Sequence, residues 1–149
     1  MGYYNSNSGL RSTYQVEDKW DGTSYQHYII LYNLQESLTL QIGKLGEFQF
    51  PCGYYLYVGK DKRNIRSRVS RHISRNKNNR WHIDYLSRYA MPVFMQMLAG
   101  ERNECDLVSH FFELGGRILI SGFGSSDCNC KSHLLYYAEI TSLEMFCSV

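Results

Sequence analysis

The apolar positions change period several times along the chain. As far as residue 24 polar residues dominate and no period holds, so residues 1–24 read as a poorly ordered arm. From Tyr28 to Leu34 the chain is an apolar, aromatic run of strand length. Leu38 to Ile42 then alternates as Leu-Thr-Leu-Gln-Ile, which predicts its hairpin partner. Pro51 and Gly53 punctuate a turn, Tyr54 to Val58 reads as a third strand, and Gly59 ends it. A helix follows from about Asn64 to Arg75, with Ile65, Val69, His72 and Ile73 on one face. A short helix over Trp81–Arg88 and a strand over Pro92–Leu98 come next. The third helix, Asn103–Leu114, turns Leu107, Val108, Phe111 and Leu114 to one side and stops at Gly115-Gly116. Arg117–Ile120 and Leu134–Ile140 complete the set as strands. No repeat is visible, and no linker after residue 25. This order predicts one α/β (α+β) domain over residues 25–149, with a small mixed or antiparallel central sheet flanked by helices.

Length agrees, since 149 residues suit one domain. Net charge is only +2, but nine of the 16 basic residues fall between positions 60 and 80 (Lys60, Lys62, Arg63, Arg66, Arg68, Arg71, Arg75, Lys77 and Arg80), against the single acid Asp61. Such a block is either a solvated surface or the footprint of a phosphate-binding face. No apolar stretch is long enough to span a membrane, and the N-terminal residues lack the charged-then-apolar order of a signal peptide. Five cysteines form no regular framework, which favours a reducing, cytoplasmic setting.

The segment Tyr55–His72 carries the strongest chemical signal. It offers a Tyr at a strand end, then a Gly that permits close approach. Arg68 and His72 follow four residues apart, on one helix face. Together these make a phosphodiester site. Trp81-His82-Ile83-Asp84 supplies either a second imidazole and carboxylate site or a DNA-facing wedge with Trp81 stacking on a base; alternatively Trp81 is a core anchor. Asp127-Cys128-Asn129-Cys130-Lys131-Ser132-His133 has Cys-x-Cys-x-x-His spacing, and Cys105 would complete a Zn²⁺ set. The Cys pair is tighter than usual and no second pair follows, so a turn with His133 leading into a strand is preferred to zinc.

The same segment resembles the GIY-YIG nuclease superfamily. Tyr57-Val58-Gly59 matches the second half of the name motif, Arg68 and His72 match its helix, and Tyr28 stands at the first-half Tyr. The usual Gly is absent there, since Gln26-His27 precede it. Phe50–Gly59, Trp81–Leu86, Glu104-Cys105, Gly122–Cys130 and Ser132–Leu134, in that order over residues 25–138, look like the Uri-type group of these proteins, common in archaea. The resemblance implies a DNA endonuclease that uses one Mg²⁺ (or Mn²⁺) held by Glu104. Arg68 would donate to the scissile phosphate, Tyr57 or Tyr28 would activate water, and His72 would position water or donate to phosphate. DNA would lie along the basic block. Repair or recombination on damaged or structured DNA is the implied setting, with an endonuclease III-type glycosylase as the implied partner. Two alternatives stay open. One is a nucleic-acid-binding module with a decayed site; the other is an interaction domain built on the Cys and His cluster.

Overall fold

A computed structural model of the chain describes residues 3–5, 24–74, 77–100, 102–126 and 128–147. The expected α+β arrangement is present. Strands β1 (Tyr3–Asn5), β2 (His27–Leu34), β5 (Gly53–Lys60), β6 (Met91–Leu98) and β7 (Leu134–Tyr137) form one antiparallel sheet in the order β1-β6-β2-β5-β7. The remaining two, β3 (Leu38–Ile42) and β4 (Gly46–Phe50), make a separate hairpin. The helices are α1 (Ile65–Ile73), α2 (His82–Ser87) and α3 (Glu104–Glu113), and a 3₁₀ turn follows at Leu143–Phe146.

Strand β2 lies in the middle of the sheet and is covered on both faces, which is why its sequence is apolar throughout rather than alternating. Tyr28, Ile30, Tyr32 and Leu34 face one cluster, shared with Val69 of α1, Ile83 and Leu86 of α2, and Ile42 and Phe50 of the hairpin. Ile29 and Leu31 face the other, shared with Leu107, Val108 and Phe111 of α3 and with Phe146. Successive side chains on a strand point oppositely, so one run of residues supplies two cores. Pro92 is accommodated where the β2–β6 register shifts between Leu31 and Tyr32, the kind of irregularity at which a strand tolerates a missing donor.

Two expectations are corrected. Leu38–Ile42 pairs with β4 and not with β2, because both edges of β2 are taken by β5 and β6. Arg117–Ile120 is not a strand: only Arg117 bridges, to Tyr136. Ile118 packs into the α3-side cluster and Ile120 into the α1-side cluster. Residues two apart in a strand share a face, so this segment instead wraps across the sheet edge. Of the segment read as an arm, Tyr3–Asn5 pairs with β6; the rest, to residue 23, lies outside the described residues. Among the described residues no helix is long and apolar enough to cross a membrane.

Candidate active site

A cleft of about 460 Å³ opens where β2 begins and β5 ends. Its walls include Tyr28, Tyr57, Lys60, Lys62, Arg63, Arg68, Arg80, Trp81, His82, Glu104 and His133. The sequence reading had named all eleven, and they come from β2, β5, all three helices or their flanking turns, and the approach to β7.

The two tyrosines stand side by side, with ring centroids 6.3 Å apart. Tyr28 lies across Gly59, its partner on β5. A Cβ built on Gly59 would sit 2.3 Å from the Tyr28 Cζ and hydroxyl oxygen. The glycine's service is therefore to the tyrosine ring as much as to any approaching ligand. Burial, as the main cause, pushes both phenols well above the usual range, and for Tyr57 the Glu104 carboxylate adds to it. Both therefore stand as hydroxyl donors at neutral pH.

His72 is not a wall of the cleft. It is 1 % exposed and lies behind Tyr28, its Nε2 2.8 Å from the Tyr28 hydroxyl. This corrects the expectation that it meets phosphate or water directly. Its Nδ1 lies 3.8 Å from an oxygen of Asp84. Burial lowers the His72 pKa, outweighing the opposing effect of Asp84, which favours the neutral ring as the acceptor of the Tyr28 hydrogen bond.

Asp84 is fully buried. Its carboxylate accepts two bonds from Arg71 Nη1, at 2.9 and 2.8 Å, and one each from the Arg80 and Trp81 backbone N–H groups, both at 2.8 Å. Burial alone would raise its pKa. The nearby His72 ring, the Trp81 and Arg80 N–H groups and the Arg71 guanidinium reverse this and hold it well below the usual carboxylate range. Asp84 is thus the charged post that starts α2 and ties it to α1. It is not a ligand facing the cleft, a second correction. Arg71 and Lys77 share this interior task. Lys77 Nζ donates to the Arg71 and His72 carbonyls at the end of α1, at 2.8 and 3.1 Å, and burial pushes its pKa down to about 8. Both were expected to face DNA; the Lys77 side chain is instead largely buried and that of Arg71 half-buried.

Arg68 is held from three sides. Its Nη1 donates to the Lys60 carbonyl at 2.7 Å, its Nε lies 3.1 Å from Asp61, and its guanidinium stacks 4.6 Å over the Trp81 ring. Trp81 carries two further guanidiniums, of Arg71 and Arg80, at 4.5 and 4.8 Å. Its faces are therefore taken by arginines, each contact contributing on the order of 0.5–2 kcal/mol, and stacking on a base is not its first use. Asp61 was passed over as the lone acid in a basic run. Its carboxylate caps the turn into α1 through the Arg63 and Asn64 N–H groups, both at 2.8 Å, and these bonds lower its pKa. A Gly-Lys-Asp sequence ahead of a helix is the available signal for such a turn.

Glu104 opens α3, whose N-cap Asn103 accepts from the Asp106 N–H at 2.8 Å. Its side chain, 12 % exposed, lines the cleft 3.7 Å from His133 Nδ1. His82 accepts the Gly124 N–H on Nδ1 at 2.9 Å, which leaves Nε2 as its protonated nitrogen; burial lowers its pKa. Gly124 adopts a φ of 68° and a Cβ there would meet the Tyr57 ring at 3.0 Å, so only glycine fits the position easily. Sequence reading had missed Gly124 as the residue that orients His82. Cys105, Cys128, Cys130 and His133 lie together beneath this wall. Arg66 is half-buried on α1 and is not among the cleft walls. Arg75 and Asp127 lie outside the described residues.

No curated protein and no solved structure matches the chain significantly. Residues 27–148 match the family described as "Domain of unknown function DUF123". That span takes in every strand but β1, all three helices and every cleft wall named above. The chain belongs to this DUF123 family.

Proposed function

We propose that the cleft is the active site of a metal-dependent DNA endonuclease of the GIY-YIG kind, in its Uri-type group. The observation that carries this is convergence: Tyr28, Tyr57, Arg68 and Glu104, far apart in sequence, line one basic cleft. Glu104 presents a hard carboxylate among hydroxyls and imidazoles, a donor suited to a Mg²⁺ or Mn²⁺ ion that keeps most of its waters. Bound there, the ion would neutralise charge on the phosphate and the leaving oxygen.

The chain's own residues divide the remaining work. Arg68, fixed by Asp61 and Trp81, donates to the scissile phosphate and stabilises charge developing there. Tyr28 relays a proton, passing its own to His72 in concert with taking one from the attacking water, so that no free phenolate has to form. Asp84 steadies the His72 ring as that charge appears. Tyr57 donates to a phosphate oxygen. Water adds to phosphorus and the bond to the 3′-oxygen breaks. That oxygen takes a proton from solvent, while the one held by His72 returns through Tyr28 to solvent, leaving 3′-OH and 5′-phosphate ends. Lys60, Lys62, Arg63 and Arg80 hold the flanking phosphates. With so small a domain, damaged or structured duplex is a better substrate than a fixed sequence, in repair or recombination, alone or beside an endonuclease III-type glycosylase.

A second reading is a binding module whose chemistry has decayed. The raised phenol pKa values favour it, since neither tyrosine is ionised without help. One experiment separates the two. Labelled duplexes, intact or carrying lesions, flaps or mismatches, are incubated with Mg²⁺, Mn²⁺ or chelator. Metal-dependent cutting that Glu104→Gln and Arg68→Ala each abolish supports the nuclease. Salt-sensitive binding without product ends on every substrate supports the module.

A further inference from the structure

Four soft donors meet beside the cleft. Cys105 comes from the first turn of α3; Cys128, Cys130 and His133 come from the loop that leads into β7. One ligand atom of each lies within 4.8 Å of the others. Cys128 Sγ is 3.1 Å from His133 Nε2. Cys105 and Cys130 are in disulfide contact, with Cα atoms 5.9 Å apart. A disulfide accounts for only two of the four groups. It leaves unexplained why a third thiol and an imidazole 3 % exposed converge on the same point.

We propose that Cys105, Cys128, Cys130 and His133 bind a structural zinc ion, which fastens the start of α3 to the loop before β7. Three thiolates and one imidazole are an established ligand set for closed tetrahedral zinc. Bonds of about 2.3 Å to sulfur and 2.0–2.1 Å to nitrogen place such donors roughly 3.5–3.8 Å apart. The short Cys-x-Cys spacing that counted against zinc in the sequence does not keep the thiols apart, since the Cys128 and Cys130 sulfurs lie within 4.8 Å of one another and of the other two ligand atoms. Zinc ligation and the Cys105–Cys130 disulfide are alternative states of the same thiols.

An independent observation points the same way. With Nε2 of His133 turned to the cysteines, its Nδ1 faces the Glu104 carboxylate at 3.7 Å. A ligating histidine whose second nitrogen meets a carboxylate is the usual outer-shell arrangement of zinc sites. The ion would therefore orient Glu104 from behind, while the same loop holds His82 through the Gly124 N–H. Zinc binding does not require the cleft to cut DNA, so the two proposals stand or fall separately.

The test begins with the full chain, purified under reducing conditions without chelator. Elemental analysis and a free-thiol count are made on wild type, Cys128→Ser and Glu104→Gln, followed by Co²⁺ substitution of wild type. The expected results are about one zinc per chain, intense sulfur-to-cobalt charge transfer with tetrahedral d–d bands, and zinc affinity at least about tenfold weaker in Cys128→Ser. If Cys128→Ser fails to fold, the cobalt spectrum of wild type decides. An octahedral cobalt spectrum, or zinc-free protein that is folded with the Cys105–Cys130 disulfide intact, overturns the proposal. The zinc content of Glu104→Gln also shows whether any loss of cutting arises at the cleft or through loss of this ion.

Discussion

Gly59→Ala tests the link between packing and chemistry most directly. The added methyl would lie 2.3 Å from the Tyr28 Cζ and hydroxyl oxygen and 2.7 Å from Cε2. Ordinary contact starts near 3.4 Å, so the ring must retreat by roughly 1 Å. It has little freedom to do so. Tyr28 is 1 % exposed and flanked by Tyr57 and His72, at centroid distances of 6.3 and 5.6 Å. A shift of that size stretches the 2.8 Å bond to His72 Nε2 beyond useful length. Overpacking costs about 1–3 kcal/mol and the lost buried bond about 1 kcal/mol more. The variant should therefore unfold in urea with a stability lower by roughly 2–4 kcal/mol and an unchanged slope.

A displacement near 1 Å at a reacting group lowers rate by about a hundredfold, so Gly59→Ala should also cut at least that much more slowly at saturating substrate and Mg²⁺. Tyr28→Phe serves as the companion, since it removes the hydroxyl and leaves the ring. It should match the loss of rate with a smaller loss of stability. A Gly59→Ala protein within about 0.5 kcal/mol of wild type would refute the packing account. One that is destabilised yet cuts at the normal rate would refute the role given to Tyr28.

Three further outcomes are expected. Asp84→Ala should cost about 3–5 kcal/mol, because it strands the Arg71 charge and two backbone donors, read by chemical unfolding at neutral pH. Stability should fall with acid in two stages. His72 and Asp84 both have lowered pKa values in the folded state, so each favours folding above its unfolded value and loses that effect as pH drops, starting near 6.5 for His72 and near 3.8 for Asp84; a stability curve that rises on acidification would contradict this. Replacing Lys60 or Arg63 by Gln should lower the slope of log binding constant against log salt by about 0.9 each, whereas Lys77→Gln should leave the slope alone and destabilise the fold.

Much of the fold was legible because burial writes itself into period. Strand β2 is apolar on both faces and could hardly be anything else, and α3 shows its Leu107-Val108-Phe111 stripe and Asn103 cap openly. Partners were not legible. Leu38–Ile42 alternates as any half-buried strand would, and nothing local says that β5 and β6 have already occupied both edges of β2. Residues Gly46–Phe50 alternate too, but Phe48 and Phe50 are only two apolar positions, too few to stand out. At the site, motif spacing found the cleft walls because strand ends and helix faces are local properties. It misassigned depth. His72, Lys77 and Asp84 come from the same stretches as the wall residues, yet they lie behind the cleft.

That difference in depth changes what the basic block means. Nine cations between residues 60 and 80 suggest a uniform phosphate-binding face. The fold divides them: Arg71 and Lys77 compensate buried Asp84 and the end of α1, while Lys60, Lys62, Arg63, Arg68 and Arg80 reach the cleft. Arg68 belongs to both groups in part, since Asp61 and Trp81 immobilise it. A guanidinium already fixed in place loses little entropy when a phosphate arrives and can act on charge that forms only in the transition state. Arg71, Lys77 and Asp84 thus make α1 and α2 one rigid support for the cleft. A charge count along the sequence measures neither the size of the phosphate face nor its stiffness; the hydrogen bonds converging on Asp84 determine both.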